Sequence, residues 1–212
     1  APARDIARDR RWGRVVEGAG EDPWLGSRLA EARVKGFQGK DLRGNDTLLA
    51  CPKHFAGYGA VEGGMDYNTA DIPETTLREV HLPPFQAAFD AGALTTMASF
   101  NDTGGVPSTG NRHLLTNILR GEMGFRGLVI SDFNSEKELV DHGFAVDGVG
   151  AVYKAITAGC DMSIQGGLYF KHIPGLVASG RLKMAVVDDA VRRVLRVKKA
   201  LGLFENPYRS LD

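Results

Sequence analysis

Short runs that are too apolar to keep one face wet alternate along this chain with amphipathic segments, and that alternation constrains the fold most. The clear runs are residues 48–53, 93–100, 128–131 and 160–164, with a further one near residues 1–7. Strands buried on both faces look like this, and they belong to parallel sheets covered by helices. Between the runs, residues 22–35 read as a helix, with Asp22 as cap, Pro23 in the first turn and Gly36 as the stop. Residues 54–69 are Gly-rich and read as a long loop. Residues 74–90 have helical composition, split in two by Pro83 and Pro84. Residues 114–120 put Leu114, Leu115, Ile118 and Leu119 on one side. Asp147 caps a helix through residue 158, with Val152, Ala155 and Ile156 facing inward. The longest helix covers residues 182–201, with Val187, Val191, Val194, Leu195 and Leu201 along one stripe, and Gly202 ends it.

These are β/α units in series, and a doubly wound sheet or a (β/α)8 barrel both accommodate them. No GxGxxG or GxxxxGK[ST] pattern is present, which argues against the nucleotide-binding version. About five units can be counted, where a closed barrel has eight. The 212 residues fit one domain and contain no linker or internal repeat. Glycine is the compositional outlier: its 27 copies are about 13% of the chain, near twice the usual ~7%, and imply many tight turns.

Charge and cysteine content exclude several function classes. The 26 basic and 26 acidic side chains cancel, so bulk charge offers nothing to nucleic acid or a membrane surface. Arg192, Arg193, Arg196, Lys198 and Lys199 read as the solvated face of a helix. No apolar run is long enough to span a bilayer, and residues 1–14 lack the apolar stretch of a signal peptide. Cys51 and Cys160 stand apart and read as inert buried thiols. The five histidines have no metal-ligand spacing, so neither metal nor cofactor is expected.

In parallel barrels the chemistry collects at the C-terminal ends of the strands. Just past the apolar runs stand Lys53 and His54, then Phe100, Asn101 and Asp102, then Asp132, then Asp161. An Arg-rich loop with Trp12 and Arg14 follows the first segment. Carboxylates, a Lys–His pair, an arginine and aromatic faces on one rim suit a polyhydroxylated ligand. Each residue also has a structural reading. Asp132 serves equally as a helix cap, with Ser135 competing. Lys53 serves as an ion-pair partner, His54 as a satisfied core histidine, Arg14 as the partner of Glu17 or Glu21, and Trp12 as packing. Asp161 ranks below Asp132.

Taken together, the motifs resemble the N-terminal barrel domain of glycoside hydrolase family 3, in particular its β-glucosidases. The resemblance rests on Asp5-Ile-Ala-Arg-Asp-Arg-Arg-Trp-Gly-Arg14 with Glu17 and Gly20-Glu-Asp-Pro23. It continues through Lys53-His-Phe-Ala-Gly-Tyr-Gly-Ala-Val-Glu-Gly-Gly64, Leu82-Pro-Pro-Phe85 and Met97-Ala-Ser-Phe-Asn101. It ends with Gly124-Phe-Arg-Gly-Leu-Val-Ile-Ser-Asp132 and Ala190-Val-Arg-Arg-Val-Leu195 through Leu201-Gly-Leu-Phe204. Six motifs in family order cover nearly the whole chain.

The resemblance implies an α/β fold, a (β/α)8 TIM-type barrel that is incomplete and holds about the last five or six units. Residues 1–212 would then be the C-terminal portion of the catalytic barrel, without the following domain that bears the acid/base carboxylate. It implies Asp132 as catalytic nucleophile of a retaining β-glucosidase that releases terminal β-D-glucose. Lys53, His54 and Arg14 are implied as glycone-binding groups, with Met97 and Phe100 lining that subsite. Phe100 stands where the family often has Tyr, and Phe133-Asn134 where it commonly has Trp or His and then Gly, so the outer subsite is expected to differ. Retaining hydrolysis needs a second carboxyl group roughly 5–5.5 Å from the first, and within the chain Glu62, Asp66, Asp102 and Asp161 are the candidates. A family 3 β-xylosidase or arabinofuranosidase, and a non-catalytic sugar-binding or assembly fragment, are the alternatives. The implied partner is a carbohydrate, a β-glucoside or oligosaccharide. Open strand edges invite association, so an oligomer or a complementing chain is also expected. The compartment stays open, with a periplasmic or extracellular parent favoured.

Overall fold

The computed structural model describes residues 3–208. Five extended segments lie side by side, all parallel and in chain order. Ala3 bridges Lys53, and the Arg4 N–H donates to the Lys53 carbonyl at 2.5 Å. Phe55 bridges Ala98, with Phe55 N–H on the Met97 carbonyl at 2.7 Å and Ser99 N–H on the Phe55 carbonyl at 2.9 Å. Strand β1 (Thr95–Met97) pairs with β4 (Leu128–Phe133), and β4 with β5 (Met162–Ile164). A short antiparallel pair, β2 (Asp102–Thr103) with β3 (Val106–Pro107), turns at Gly104-Gly105 above the rim. Parallel neighbours in strict chain order, with helices between them, form an arc of a TIM-type barrel rather than a doubly wound sheet, whose order reverses at a switch point. Among the described residues the arc has five extended segments, of which three, β1, β4 and β5, are regular strands.

Several elements differ from the sequence reading. The apolar run at 48–53 forms bridges at its end and no regular strand. Helix α1 (Pro23–Gln38) has the expected Asp22 cap, whose Oδ1 accepts from Leu25 N–H at 2.7 Å. It runs past Gly36 because the buried Gln38 side chain holds one more turn, donating to the Gly92 carbonyl at 3.0 Å. The stop is Gly39, at φ 57°. The 74–90 segment divides as expected, into α2 (Glu74–Thr76), a wide turn at Leu77–His81 and α3 (Pro83–Asp90) with Pro83 in its first turn. The 114–120 helix is longer and wider than expected. His113–Glu122 winds with i→i+5 bonds, among them Met123 N–H to the Ile118 carbonyl, and still buries Leu114, Leu115, Ile118 and Leu119.

Helix α4 (Ser135–Asp141) follows β4, and Asn134 at φ 57° precedes it, so Asp132 caps nothing. Helix α5 (Gly148–Ala158) is capped by Asp147 and buries Val152, Ala155 and Ile156 as expected. Helix α6 (Leu168–Ala178) has no counterpart in the sequence reading, because Pro174 inside it argues against a helix. It is held by Leu176 against Val152, Ile156 and Leu182. Helix α7 (Met184–Ala200) buries Ala190 and Val197 instead of the full expected stripe, leaving Val191 and Leu195 exposed. The main core lies between strands and helices, around Phe55, Phe85, Ile118, Leu119, Val129, Leu139 and Ala155.

Asp161 fixes the β4–β5 end of the arc. Its side chain is 1% exposed and takes Arg120 Nη2 at 2.7 Å, Arg193 Nη1 at 2.8 Å and the Val129 N–H at 2.9 Å. Arg193 is therefore not part of a solvated face. Close packing also explains some of the glycine: a Cβ on Gly59 would lie 2.3 Å from the Ile6 carbonyl oxygen, and one on Gly127 would lie 2.1 Å from that of Leu94. Asp161→Asn leaves two partly buried guanidinium groups without a counter-charge, and removing one partner of such a pair costs about 3 kcal/mol. An unfolding free energy from urea denaturation lowered by that amount is the expected result, and a loss under about 1 kcal/mol refutes the role.

Candidate active site

The C-terminal ends of the first, second and fourth segments of the arc converge on one histidine. His54 is fully buried. Its Nδ1 lies 2.8 Å from Asp5 Oδ2, and Asp5 also accepts the His54 backbone N–H at 3.3 Å. A carboxylate only accepts, so Nδ1 carries a hydrogen. On the other side of the ring, Nε2 lies 3.0 Å from Arg14 Nη2 and 3.3 Å from Asp132 Oδ2. Arginine only donates, so the Arg14 contact uses the Nε2 lone pair. The Asp132 oxygen faces that same nitrogen without a hydrogen bond, and Oδ2 is buried without a partner.

Asp132 owes its aim to a bulge. Ile130 is in register with Met162, but Phe133 is in register with Ile164, so β4 has one residue more than β5 here. Bulges re-aim a side chain at the edge of a site. Ser131 locks this one, its hydroxyl accepting from Ile164 N–H at 2.9 Å and donating to the Asp132 carbonyl at 2.9 Å. Asp132 Oδ1 accepts from the Phe133 N–H at 2.6 Å. One carboxylate oxygen is thus tied down and the other is free.

Arg14 is held from below. Glu17 takes its Nε at 2.7 Å and its Nη2 at 2.9 Å, and the guanidinium lies 5.4 Å from the centre of the Tyr58 ring. The Arg14 pair holds the Glu17 carboxyl below the usual range, helped by the charge of Lys53. The structural reading of Arg14 and its contact with His54 are both present. Lys53 is half-buried, its charge reaches Glu17, and it has no ion pair among the described residues. Met97 is half-buried, in register with Ile130 and two residues short of the Asp132 level. Phe100 is buried in an aromatic wall with Trp12 and Tyr58 and receives the edge of Tyr67 at 4.7 Å, so little of it reaches open space. Trp12 packs rather than lines, with Nε1 donating to Asp66 Oδ1 at 2.9 Å. Cys160 is buried as expected, whereas Cys51 is half-buried.

The other carboxylates considered from sequence are engaged. Glu62 pairs with Arg8 at 3.2 Å, Asp66 takes Trp12, Asp102 takes Thr69 Oγ1 at 2.7 Å, and Asp161 is clipped by two arginines. Asp5 and Glu138 carry no role in the sequence reading, and Glu17 enters it only as a structural partner of Arg14. Asp5 is findable as the polar residue ending the first apolar run. Glu138 gives no signal, because it looks like any surface residue of a polar helix. It is half-buried with Oε2 out of solvent and unpaired. Burial first, then the charges of Asp141 and Asp132, push its carboxyl up to about 7. No cluster of three or more His, Cys, Asp or Glu able to hold a metal occurs among the described residues.

A parallel β/α arc whose strand ends gather a histidine, an arginine, a lysine and an aimed carboxylate is a barrel of the enzyme-bearing class. The sequence profile described as "Glycosyl hydrolase family 3 N terminal domain" matches residues 1–197, and the chain belongs to that family. It is 46% identical over 211 residues to the periplasmic beta-glucosidase of Salmonella typhimurium, covering 100% of this chain and 28% of the relative. It is 39% identical to a putative beta-xylosidase of Formosa agariphila, covering 100% of this chain and 29% of the relative. Among solved structures, the beta-glucosidase of Listeria innocua in complex with glucose superposes with a TM-score of 0.97 at 43% identity, over 100% of this chain and 30% of that one. The chain therefore spans about 30% of the length of the relatives it matches.

Glu138 generates a pH prediction. Its folded pKa lies above its unfolded value of 4.5, so its contribution to stability is full below the unfolded value and is lost as pH rises through about 7. Glu138→Gln is expected to flatten the stability–pH curve between these limits, measured by denaturant midpoint at several pH values. An unchanged slope refutes it.

Proposed function

We propose that this chain carries the nucleophile and the glycone-binding groups of a retaining glycoside hydrolase acting on terminal β-D-glucosides. The observation behind this reading is the aimed carboxylate of Asp132. One oxygen is fixed by the Phe133 N–H and the other is unpaired beside His54. Asp132 Oδ2 attacks the anomeric carbon as the glycosidic C–O bond breaks, giving a glycosyl ester on Asp132. The leaving oxygen takes a proton from a carboxylic acid, and water then cleaves the ester with that group acting as base. Lys53 and Arg14 donate to sugar hydroxyls, His54 accepts from one through its Nε2 lone pair, Met97 flanks the ring, and Phe100 backs the wall of that subsite. Asp5 positions His54, and Glu17 positions Arg14.

The acid/base carboxylate is proposed to come from a further domain, with residues 1–212 forming the C-terminal part of the catalytic barrel. The strand edges outside residue 3 and outside β5 pair with no other strand among the described residues. That supports closure of the arc by further strands, from the same polypeptide or a partner. The Salmonella relative is named periplasmic, which supports an exported parent. Among the described residues no helix is long and apolar enough to cross a membrane.

A relative named beta-xylosidase favours a second reading, a β-xyloside in the same site. The ratio of kcat/KM for aryl β-glucoside and aryl β-xyloside decides between them. The nucleophile is tested with a 2-fluoro-glucosyl inactivator on the full-length protein, followed by intact mass and peptide mapping. A single label on Asp132 is expected, together with a loss in kcat of at least about 10³-fold in Asp132→Asn. A label elsewhere, or none on a folded protein, refutes the assignment. The isolated chain is expected to hydrolyse an aryl glucoside weakly or not at all.

A further inference from the structure

The outer face of α7 is exposed along its whole length. Met184, Asp188, Val191, Leu195 and Lys198 are all exposed, and they follow one another at steps of four, three, four and three residues. Such steps align side chains in one stripe along a helix, and they are the steps of a two-helix seam. Its apolar members stand well clear of the core: Met184 is 54% exposed, Val191 47% and Leu195 43%. Just past the helix end the exposed Phe204 closes a cleft of about 420 Å³, whose other walls are Arg192, Leu195, Arg196 and Lys199. The inward side of the helix is already engaged, with Ala190 and Val197 in the core and Arg193 on Asp161. The charges are sorted along the outer face. Asp188 and Asp189 stand in its N-terminal half, where Arg192 of the same helix reaches them at 4.0 and 3.0 Å. Arg196, Lys198 and Lys199 stand in its C-terminal half and form no ion pair among the described residues.

We propose that α7 is the seam of a homodimer, in which the same helix of a second copy lies antiparallel on this face. The charge order selects that occupant. Acidic residues first and basic residues last follow the helix macrodipole. Helices of one barrel run parallel to each other, because each returns between parallel strands. A parallel neighbour with the same charge order puts like charges together, whereas an antiparallel one puts unlike charges together. A second copy of α7 supplies that reversed order on a two-fold axis at the level of Arg193. Val191 then meets the partner's Leu195, and Asp188 meets the partner's Lys198. Met184, flexible and unbranched, reaches the level of the partner's Gly202, beside the cleft under Phe204. A seam of 17 residues is about 25 Å long. Contacts of that size lie at the low end of specific interfaces, so a dissociation constant on the order of 10 μM is expected. None of these side chains belongs to the site around Asp132.

The test is sedimentation velocity on the full-length protein from about 1 to about 100 μM, where a monomer–dimer equilibrium is expected. Leu195→Glu places a charge in the seam and is expected to weaken association at least about tenfold while melting stays at the wild-type temperature. Reversing Asp188→Lys with Asp189→Lys makes the whole face basic and is expected to abolish the dimer. Adding Lys198→Glu and Lys199→Glu to that same chain restores it, because each reversed half then faces its complement on the other copy. A full-length protein that stays monomeric across the range overturns the proposal. So does a dimer that survives both Leu195→Glu and the acidic-half reversal, which uses another surface. A reversal that the compensating pair fails to restore overturns the antiparallel pairing. A monomer whose melting temperature falls in Leu195→Glu shows the face covered by its own polypeptide, and that result also overturns the dimer.

Discussion

The contact between Asp5 and His54 organises the site. It joins the ends of two neighbouring parallel segments, so the imidazole orientation is set by the backbone ladder and not by a flexible loop. With Nδ1 committed to Asp5, Nε2 is left facing Arg14 and Asp132. Swinging the ring away would break the Asp5 bond and leave a buried carboxylate unpaired, which costs more than the bond itself is worth. The edge of Tyr58, 5.0 Å away, closes the remaining freedom. An arginine, a histidine and two carboxylates are thereby held together before any ligand arrives, and such preorganisation is the main way a site gains from its scaffold.

The same arc needs a counterweight at its other end, and Asp161 supplies it. The carboxylate ties β4, the wide helix and α7 to one point at the start of β5. Asp161 sits at the level of Val129, three residues below Asp132, through its backbone N–H to the Val129 carbonyl. Clamping that point leaves the bulge above it free to carry the strain of an extra residue. Strand register below and irregularity above is a division of labour seen wherever a rigid barrel presents variable chemistry at its top.

Much of the fold is legible in the sequence because parallel strands and their helices write strong patterns. Val129, Ala155, Ile118 and Leu119 are buried where periodicity places them. The misreadings have local causes. Gly36 offers a stop that the buried Gln38 overrides, since a tertiary hydrogen bond outweighs a small propensity difference. Pro174 hides a real helix, because packing of Leu176 compensates for one lost backbone bond. The i→i+5 winding at 113–122 leaves no mark, as its apolar residues suit either helix.

For the site, residues at strand ends are legible and residues on the helices above them are not. Asp132, Lys53 and His54 follow apolar runs directly, so position alone singles them out. Arg14 follows from its place in a loop motif, although its ion pair with Glu17 is equally what a structural reading gives. The two roles are compatible: a bidentate carboxylate fixes the guanidinium fork and leaves Nη2 directed at His54. Glu138 is the opposite case. Nothing in Ser-Glu-Lys-Glu-Leu distinguishes it from a solvated helix face. Its difference arises only when the fold half-buries it and brings it near the charges of Asp141, Asp132 and Asp66. A side chain acquires chemistry from its neighbours, so the part of a site built by contacts between distant segments is the part that a linear sequence shows least.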